Sequence, residues 1–150
     1  MFNISVTDDL VSLDQSIYDQ FIKLHSQLFG EKYTSEMEVA LKEKKSAALI
    51  TALDRNDLIG FKLGYELKPG TFYSWMGGVW EQHRGKGVAT ALMKVQHEWC
   101  TNHSYKKIRT KTKNKWRAML ILNIKNGFDV VGTYTDSLGE PKIILEKRLP

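Results

Sequence analysis

Val79-Trp80-Glu81-Gln82-His83-Arg84-Gly85-Lys86-Gly87-Val88-Ala89-Thr90-Ala91-Leu92 is the stretch on which the reading of this chain turns. Upstream, Thr71 to Trp80 is rich in aromatic and β-favouring residues and predicts a strand. Downstream, Val88, Leu92, Val95 and Trp99 fall on one face of a helix that ends near Asn102. Small residues lie between. At such a strand-to-helix junction the first amides of the helix lack partners and the positive end of its dipole faces the same point, so an anion is favoured there. Glycine at positions 85 and 87 lets the anion approach without a Cβ in the way. A helix terminus alone is worth about 0.3–2 kcal/mol toward a charge, so Arg84 and Lys86 would have to add to it. The competing reading is that Gly85 and Gly87 only cap a tight turn.

Two familiar phosphate loops are excluded by spelling. A P-loop requires a hydroxyl residue after Gly-Lys, but Gly85-Lys86 is followed by Gly87. A dinucleotide fingerprint requires Gly or Ala where Thr90 stands and an acid about 20 residues further on, where the chain instead has Lys106 to Arg109.

Outward from the junction the periods alternate. Phe2 to Thr7 reads as a strand and Asp14 to Phe29 as an amphipathic helix on Ile17, Phe21, Leu24 and Leu28. Thr34 introduces a second helix through Met37, Ala40 and Leu41, with Lys42 to Lys45 at its tail. Ala47 to Leu53 and Leu58 to Leu67 read as a hairpin about Arg55-Asn56-Asp57, and Pro69-Gly70 turns into the strand before the junction. Inside that strand Gly77-Gly78 suggests a bulge where something comes close to the backbone. After it, Lys106 to Thr112 alternates, a helical pattern runs from Lys115 to Asn126 with Gly127 as a left-handed cap, and Phe128 to Thr135 and Ile143 to Leu149 form two last strands around Ser137-Leu138-Gly139. The expected fold class is α/β, of the α+β kind: a mixed, mostly antiparallel twisted sheet of about seven strands flanked by about four helices, in a single domain over residues 1–150.

Composition narrows the function. The chain has 150 residues with 22 Lys+Arg against 17 Asp+Glu, 42% hydrophobic residues and one cysteine. That length can bury a real core without staples, and the apolar content is too high for disorder. Cys100 has no partner within the chain, which excludes a disulfide framework and fits a reducing, cytoplasmic setting. His25, His97 and His103 are scattered, so no metal site is expected. Asp8 and Asp9 near the start and the lack of any run of about 18 apolar residues argue against export and against a membrane partner. Charge is uneven: residues 1–75 carry 8 basic and 11 acidic side chains, residues 76–150 carry 14 and 6. The second half would attract an anionic partner. Seven cations stand between Lys106 and Arg117 with no acid, and alternation puts Lys107, Arg109, Lys111 and Lys113 on one side of a strand. With Trp116 as a stacking platform this would suit a nucleic acid, the rival and less favoured function; a solvated strand face and steering of phosphates are the others.

Arg84-Gly85-Lys86-Gly87-Val88-Ala89 matches Arg/Gln-x-x-Gly-x-Gly/Ala, and here the sequence resembles the GNAT superfamily of acyl-CoA-dependent N-acetyltransferases. Asn126-Gly127-Phe128 after a helix, and the order of elements, are also similar to that family. The resemblance implies an N-acetyltransferase that moves an acetyl group from acetyl-CoA to a primary amine of a small molecule or peptide by direct attack. It implies that the amides of Arg84, Gly85, Lys86, Gly87, Val88, Ala89 and Thr90 hold the pyrophosphate of coenzyme A and that the pantetheine arm lies along Gly77, Gly78 and Val79. The thioester would sit where that strand and the next part, with a backbone N–H near Val79 stabilising the oxyanion. The first two helices and their loop would cover the acceptor, placing Phe29 to Tyr33 on its pocket.

The pattern departs at two places. Asn123 stands where many members have a Tyr that protonates the departing sulfur; Asn can donate only an amide hydrogen bond, although a thiolate of pKa near ~8.5 can leave unprotonated. Trp116 replaces the usual Asn seven residues earlier, with Asn114 two residues before it as the substitute pantetheine contact. Removing a proton from an amine of pKa ~10.4 at pH 7 costs about 4–5 kcal/mol, so a base or water chain is expected. Glu81 is the first candidate, with His83, Glu66 and Tyr73 as others. An acyl-CoA-binding protein with little turnover remains the alternative within the fold, and monomer and homodimer are both open.

Overall fold

Asp14 opens the first long helix of the computed structural model, which describes all 150 residues: its carboxylate accepts from the Ser16 and Ile17 amides, satisfying two of the orphan donors of α1 (Gln15–Phe29). Gly30, at φ 98°, ends α1 and at once begins α2 (Glu31–Leu41). Thr34, which the sequence places ahead of the second helix, therefore lies inside it. It is buried one turn inside α2, where its hydroxyl donates to the Gly30 carbonyl and meets His25 Nδ1 at 2.7 Å.

Seven strands form one sheet in the order β1-β2-β3-β4-β5-β7-β6. They are β1 (Asn3–Thr7), β2 (Ala48–Asp54), β3 (Asp57–Lys68), β4 (Thr71–Val79), β5 (Lys107–Thr112), β6 (Asp129–Thr135) and β7 (Pro141–Arg148). Every neighbouring pair is antiparallel except β4 with β5, which are joined by the crossover helix α3 (Val88–Asn102) and run parallel. α4 (Arg117–Lys125) follows β5, and Gly127 at φ 94° turns its end back toward β6. The mixed, mostly antiparallel sheet of seven strands and four helices is the architecture expected from the sequence.

Two apolar layers hold the helices on opposite faces. Phe21, Leu24 and Met37 of α1 and α2 bury against Leu49, Leu58, Phe61 and Leu63. Val88, Leu92, Met93 and Cys100 of α3 bury against Ile50, Ile59, Phe72, Ile108 and Leu145 on the other face, joined at their edge by Leu120 and Leu122 of α4. Phe61 and Leu24 are fully enclosed, and truncating such a side chain costs about 2–5 kcal/mol. α1 and α2 thus cover the first half of the sheet, α3 and α4 the opposite side.

The bulge in β4 is not at Gly77-Gly78. Leu63 pairs with Met76 and Gly64 with Ser74, so the extra residue is Trp75; Gly77 and Gly78 pair regularly with Lys62 and Phe61. The two glycines make room instead. A Cβ on Gly78 would collide with Leu28 Cδ1 of α1, and one on Gly77 would stand 3.0 Å from Lys62 Cγ on the other face.

Candidate functional site

β4 and β5 are paired only from Thr71 with Lys107 to Ser74 with Thr110. Beyond Ser74 the two part, and the remainder of β4 has no neighbour on that edge. Trp80 donates its N–H to the Ile59 carbonyl at 2.9 Å, and successive amides of a strand point to opposite edges, so the N–H groups of Val79 and Gly77 face the open side. The Val79 carbonyl on that edge accepts from Arg84 Nε at 3.1 Å, which ties the following loop back onto the strand.

That loop is a 3-10 turn, Glu81–His83, followed by Arg84, Gly85, Lys86 and Gly87. Gly85 and Gly87 adopt φ of 75° and 81°, and a Cβ at either would meet nothing within 4 Å. Their glycines are required by the backbone turn and leave the space before α3 open. The first backbone bond of α3 runs from Ala91 N–H to the Gly87 carbonyl, and no side chain caps the helix. Six consecutive amides, from Gly85 to Thr90, therefore donate to nothing within the protein. All of them lie at the positive end of a 15-residue helix, and Arg84 and Lys86, both exposed, pair with no carboxylate.

The other residues singled out from sequence are dispersed around this edge. Asn123 is buried in α4, on the α3 side of the sheet; its carbonyl accepts from the Asn126 and Phe128 amides. Asn114 is exposed in the turn after β5. Glu81 is exposed just past the end of β4, with His83 half-buried beside it. Glu66 is held elsewhere, bonded to Lys45 Nζ at 3.1 Å and to the Tyr105 hydroxyl at 3.0 Å, and both contacts hold its carboxyl below the usual range. Burial pushes the Tyr73 hydroxyl well above the ordinary phenol value, which unsuits it as a base. Phe29 turns inward against the His25 ring, while Tyr33 is exposed.

On the α1 side, the sheet surface beyond α1 and α2 is aromatic. Tyr65 lies edge-on to both Tyr73 and Trp75, with centroids 5.4 Å apart in each case. Lys44 stands over the Tyr65 ring, and Lys111 over the rings of Tyr73 and Tyr134. The basic run of β5 is not a free cationic stripe. Arg109 and Lys107 both pair with Glu146, at 2.6 and 3.5 Å, and Lys113 pairs with Glu140 at 2.9 Å. Trp116, the supposed base-stacking platform, already carries Lys113 at 4.3 Å and Lys142 at 5.8 Å.

No sequence signal marked Lys62. Placed between Phe61 and Leu63 in β3, it reads as the solvent-facing residue of an alternating strand, yet it is 9% exposed and its ammonium bonds Ser74 Oγ at 3.2 Å. Only the assembled sheet accounts for it, because β3 is central and covered on both faces.

The sequence model of the acetyltransferase (GNAT) family matches residues 15–119. No curated protein sequence matches the chain. Among solved structures, an acetyltransferase of the GNAT family from Desulfovibrio desulfuricans superposes with a TM-score of 0.80 at 13% identity, covering 100% of both chains. An aminoglycoside 6'-N-acetyltransferase complexed with coenzyme A gives 0.80 at 16% identity, covering 99% of this chain and 98% of the other. The ribosomal-protein-S18-alanine N-acetyltransferase of Escherichia coli gives 0.74 at 15% identity, over 99% and 94%. At these identities the likeness is one of fold.

Proposed function

The chain belongs to the GNAT acetyltransferase family, whose enzymes transfer acyl groups from coenzyme A, and from that premise we propose that it acetylates a primary amine of a small molecule or peptide with the residues of the β4–α3 edge in the following roles. The observation that carries the reading is the run of six unpartnered amides from Gly85 to Thr90 at the start of α3, beside two unpaired cations. This donor set fits a diphosphate, and the open edge of β4 fits an amide-bearing arm; acetyl-CoA supplies the activated acetyl thioester.

Arg84 closes the loop onto Val79, and Lys86 adds charge. The amides of Gly77 and Val79 orient the arm, with Gly78 between them keeping α1 close. The Val79 N–H donates to the carbonyl oxygen as negative charge develops on it. The Asn123 amide steadies the sulfur from the α4 side, and Asn114 meets the arm at the mouth of the cleft. Glu81, the carboxylate next to the end of β4, receives the amine's proton through water. The aromatic shelf of Tyr65, Tyr73 and Trp75, with unpaired ammonium groups at Lys44 and Lys111, favours an acceptor amine that is otherwise neutral or anionic over a polycation. Use of acetyl-CoA together with a free, buried Cys100 supports a reducing, cytoplasmic location; no helix is long and apolar enough to cross a membrane.

The test is thermal melting followed by an amine screen. Acetyl-CoA at a hundred times its Kd should stabilise the fold by about 2.7 kcal/mol, and an amine that releases free thiol identifies the acceptor class. No shift at millimolar acetyl-CoA would remove the assignment. A shift without thiol release from any amine would leave a binding protein.

A further inference from the structure

Lys62 is the only Lys, Arg, Asp or Glu among the buried residues of the protein. No carboxylate lies within ion-pair distance, and its single hydrogen bond goes to the Ser74 hydroxyl. A lone buried ammonium is expensive, and an apolar side chain of similar length would normally serve a core better. It is not the only buried polar group left without a full set of partners. His97 Nε2, Thr112 Oγ1 and both polar atoms of the Gln96 amide, on the same face of the sheet, are buried with no partner.

Two neighbours fix the position of this ammonium. Its stem lies beneath Gly77, where an added Cβ would stand 3.0 Å from its Cγ, and its head reaches Ser74, the last β4 residue paired with β5. Ser74 is fixed there by Thr110, whose hydroxyl donates to the Ser74 carbonyl at 2.9 Å. Lys62 Nζ therefore sits at the apex of the cleft, on the α3–α4 face, next to the edge of β4 along which the pantetheine arm is placed. Asn123 of α4, which cannot give up a proton, is on the same face.

We propose that Lys62 is the proton donor to the departing sulfur of coenzyme A, a role that rests on the acetyltransferase reading above. As the amine nitrogen bonds to the acetyl carbon, the carbon–sulfur bond breaks. The electron pair left on sulfur takes a proton from Lys62 Nζ, and the neutral Lys62 amine regains one from water. The groups facing it are suited to this. From α3 comes His97, which burial keeps neutral, its pKa lowered to about 3, and which is approached at 3.1 Å by Lys147 of β7. β2 opposes Lys62 with Ile50, and β4 offers Gly77 and Ser74. With no anion nearby, burial lowers the Lys62 pKa to about 8, close to that of a thiol. An arriving thiolate would raise it again.

Two measurements test the role. In the wild-type chain, the ionisation of Lys62 is followed by NMR of its side-chain nitrogen with coenzyme A and with desulfo-coenzyme A bound; a rise in its pKa with the thiol and none with the desulfo analogue is expected. In Lys62→Met, the melting temperature should equal or exceed that of the wild type and the KM for acetyl-CoA should hold. The kcat should fall on the order of a hundredfold, the lower end for a positioned proton donor, and its decline above pH about 8 should disappear. Identical Lys62 titration with both ligands, or a variant that keeps kcat and the alkaline decline, overturns the proposal and leaves the cofactor site standing. Failure of the wild type to bind either ligand overturns both.

Discussion

Gly87 shows how one residue can be demanded by backbone and ligand together. Its φ of 81° is strained for other residues by about 1–2 kcal/mol, yet the space around its missing Cβ is open. Asp tolerates this conformation better than most and is a preferred residue at the start of a helix, worth about 1 kcal/mol as a cap. Gly87→Asp should therefore fold with nearly unchanged melting. Its carboxylate would accept from the Ala89 or Thr90 amide and set a negative charge where the phosphates approach, so stabilisation by acetyl-CoA should vanish. A variant stabilised as much as the wild type would place the phosphates elsewhere. This residue was legible in the sequence because glycine, cation and helix period coincide within fourteen positions. Lys62 was not, because a charge in an alternating strand points outward unless both faces of that strand are covered, and coverage is a property of the assembled sheet.

At the scale of elements, α3 has the limits read from its period, since a left-handed glycine marks one end and the spacing of Val88, Leu92 and Trp99 the rest. α2 begins three residues before Thr34, where the sequence set its start, because Gly30 both ends α1 and starts α2, and the Thr34 hydroxyl is spent inside the helix. The bulge was misplaced for a related reason. Two glycines signal a close approach, but whether the approaching atoms belong to a bulged backbone or to a neighbouring helix cannot be told from one strand. Here the neighbour is Leu28 at the end of α1, over Gly78. Gly78→Ala should cost about 1–3 kcal/mol in urea unfolding, by forcing α1 off the sheet. Leu28→Ala should then cost less in that background than in the wild type, a coupling of the sign expected for two groups competing for one space. Strict additivity would mean that they do not touch.

For the molecule as a whole, the buried histidines set a response to acid. Burial lowers the pKa of His25 to about 4 and, reinforced by Lys147 and Lys62, that of His97 to about 3. An unfolded chain binds these two protons below about pH 6.5, whereas the native state refuses them, so stability falls as pH falls through this window. The slope should approach about 1.4 kcal/mol per pH unit for each histidine between pH 6 and 5. Glu66, Asp136, Glu140 and Glu146, whose carboxyls are held low by hydrogen bonds and cations, add their losses only further down. Denaturant titration across that interval should show the decline, and His97→Leu should roughly halve it. Stability flat from pH 6.5 to 4.5 would show that neither ring is excluded from protonation.

The short parallel seam also has a mechanical side. Only four residue rungs, Thr71 to Ser74, join the antiparallel ladder β1-β2-β3-β4 to the antiparallel ladder β5-β7-β6. What spans that seam is the crossover helix, whose Leu92, Met93 and Cys100 share one buried layer with strands on both sides of it. On the proposed placement of the cofactor, whatever lodges in the gap would act as a splint across that seam.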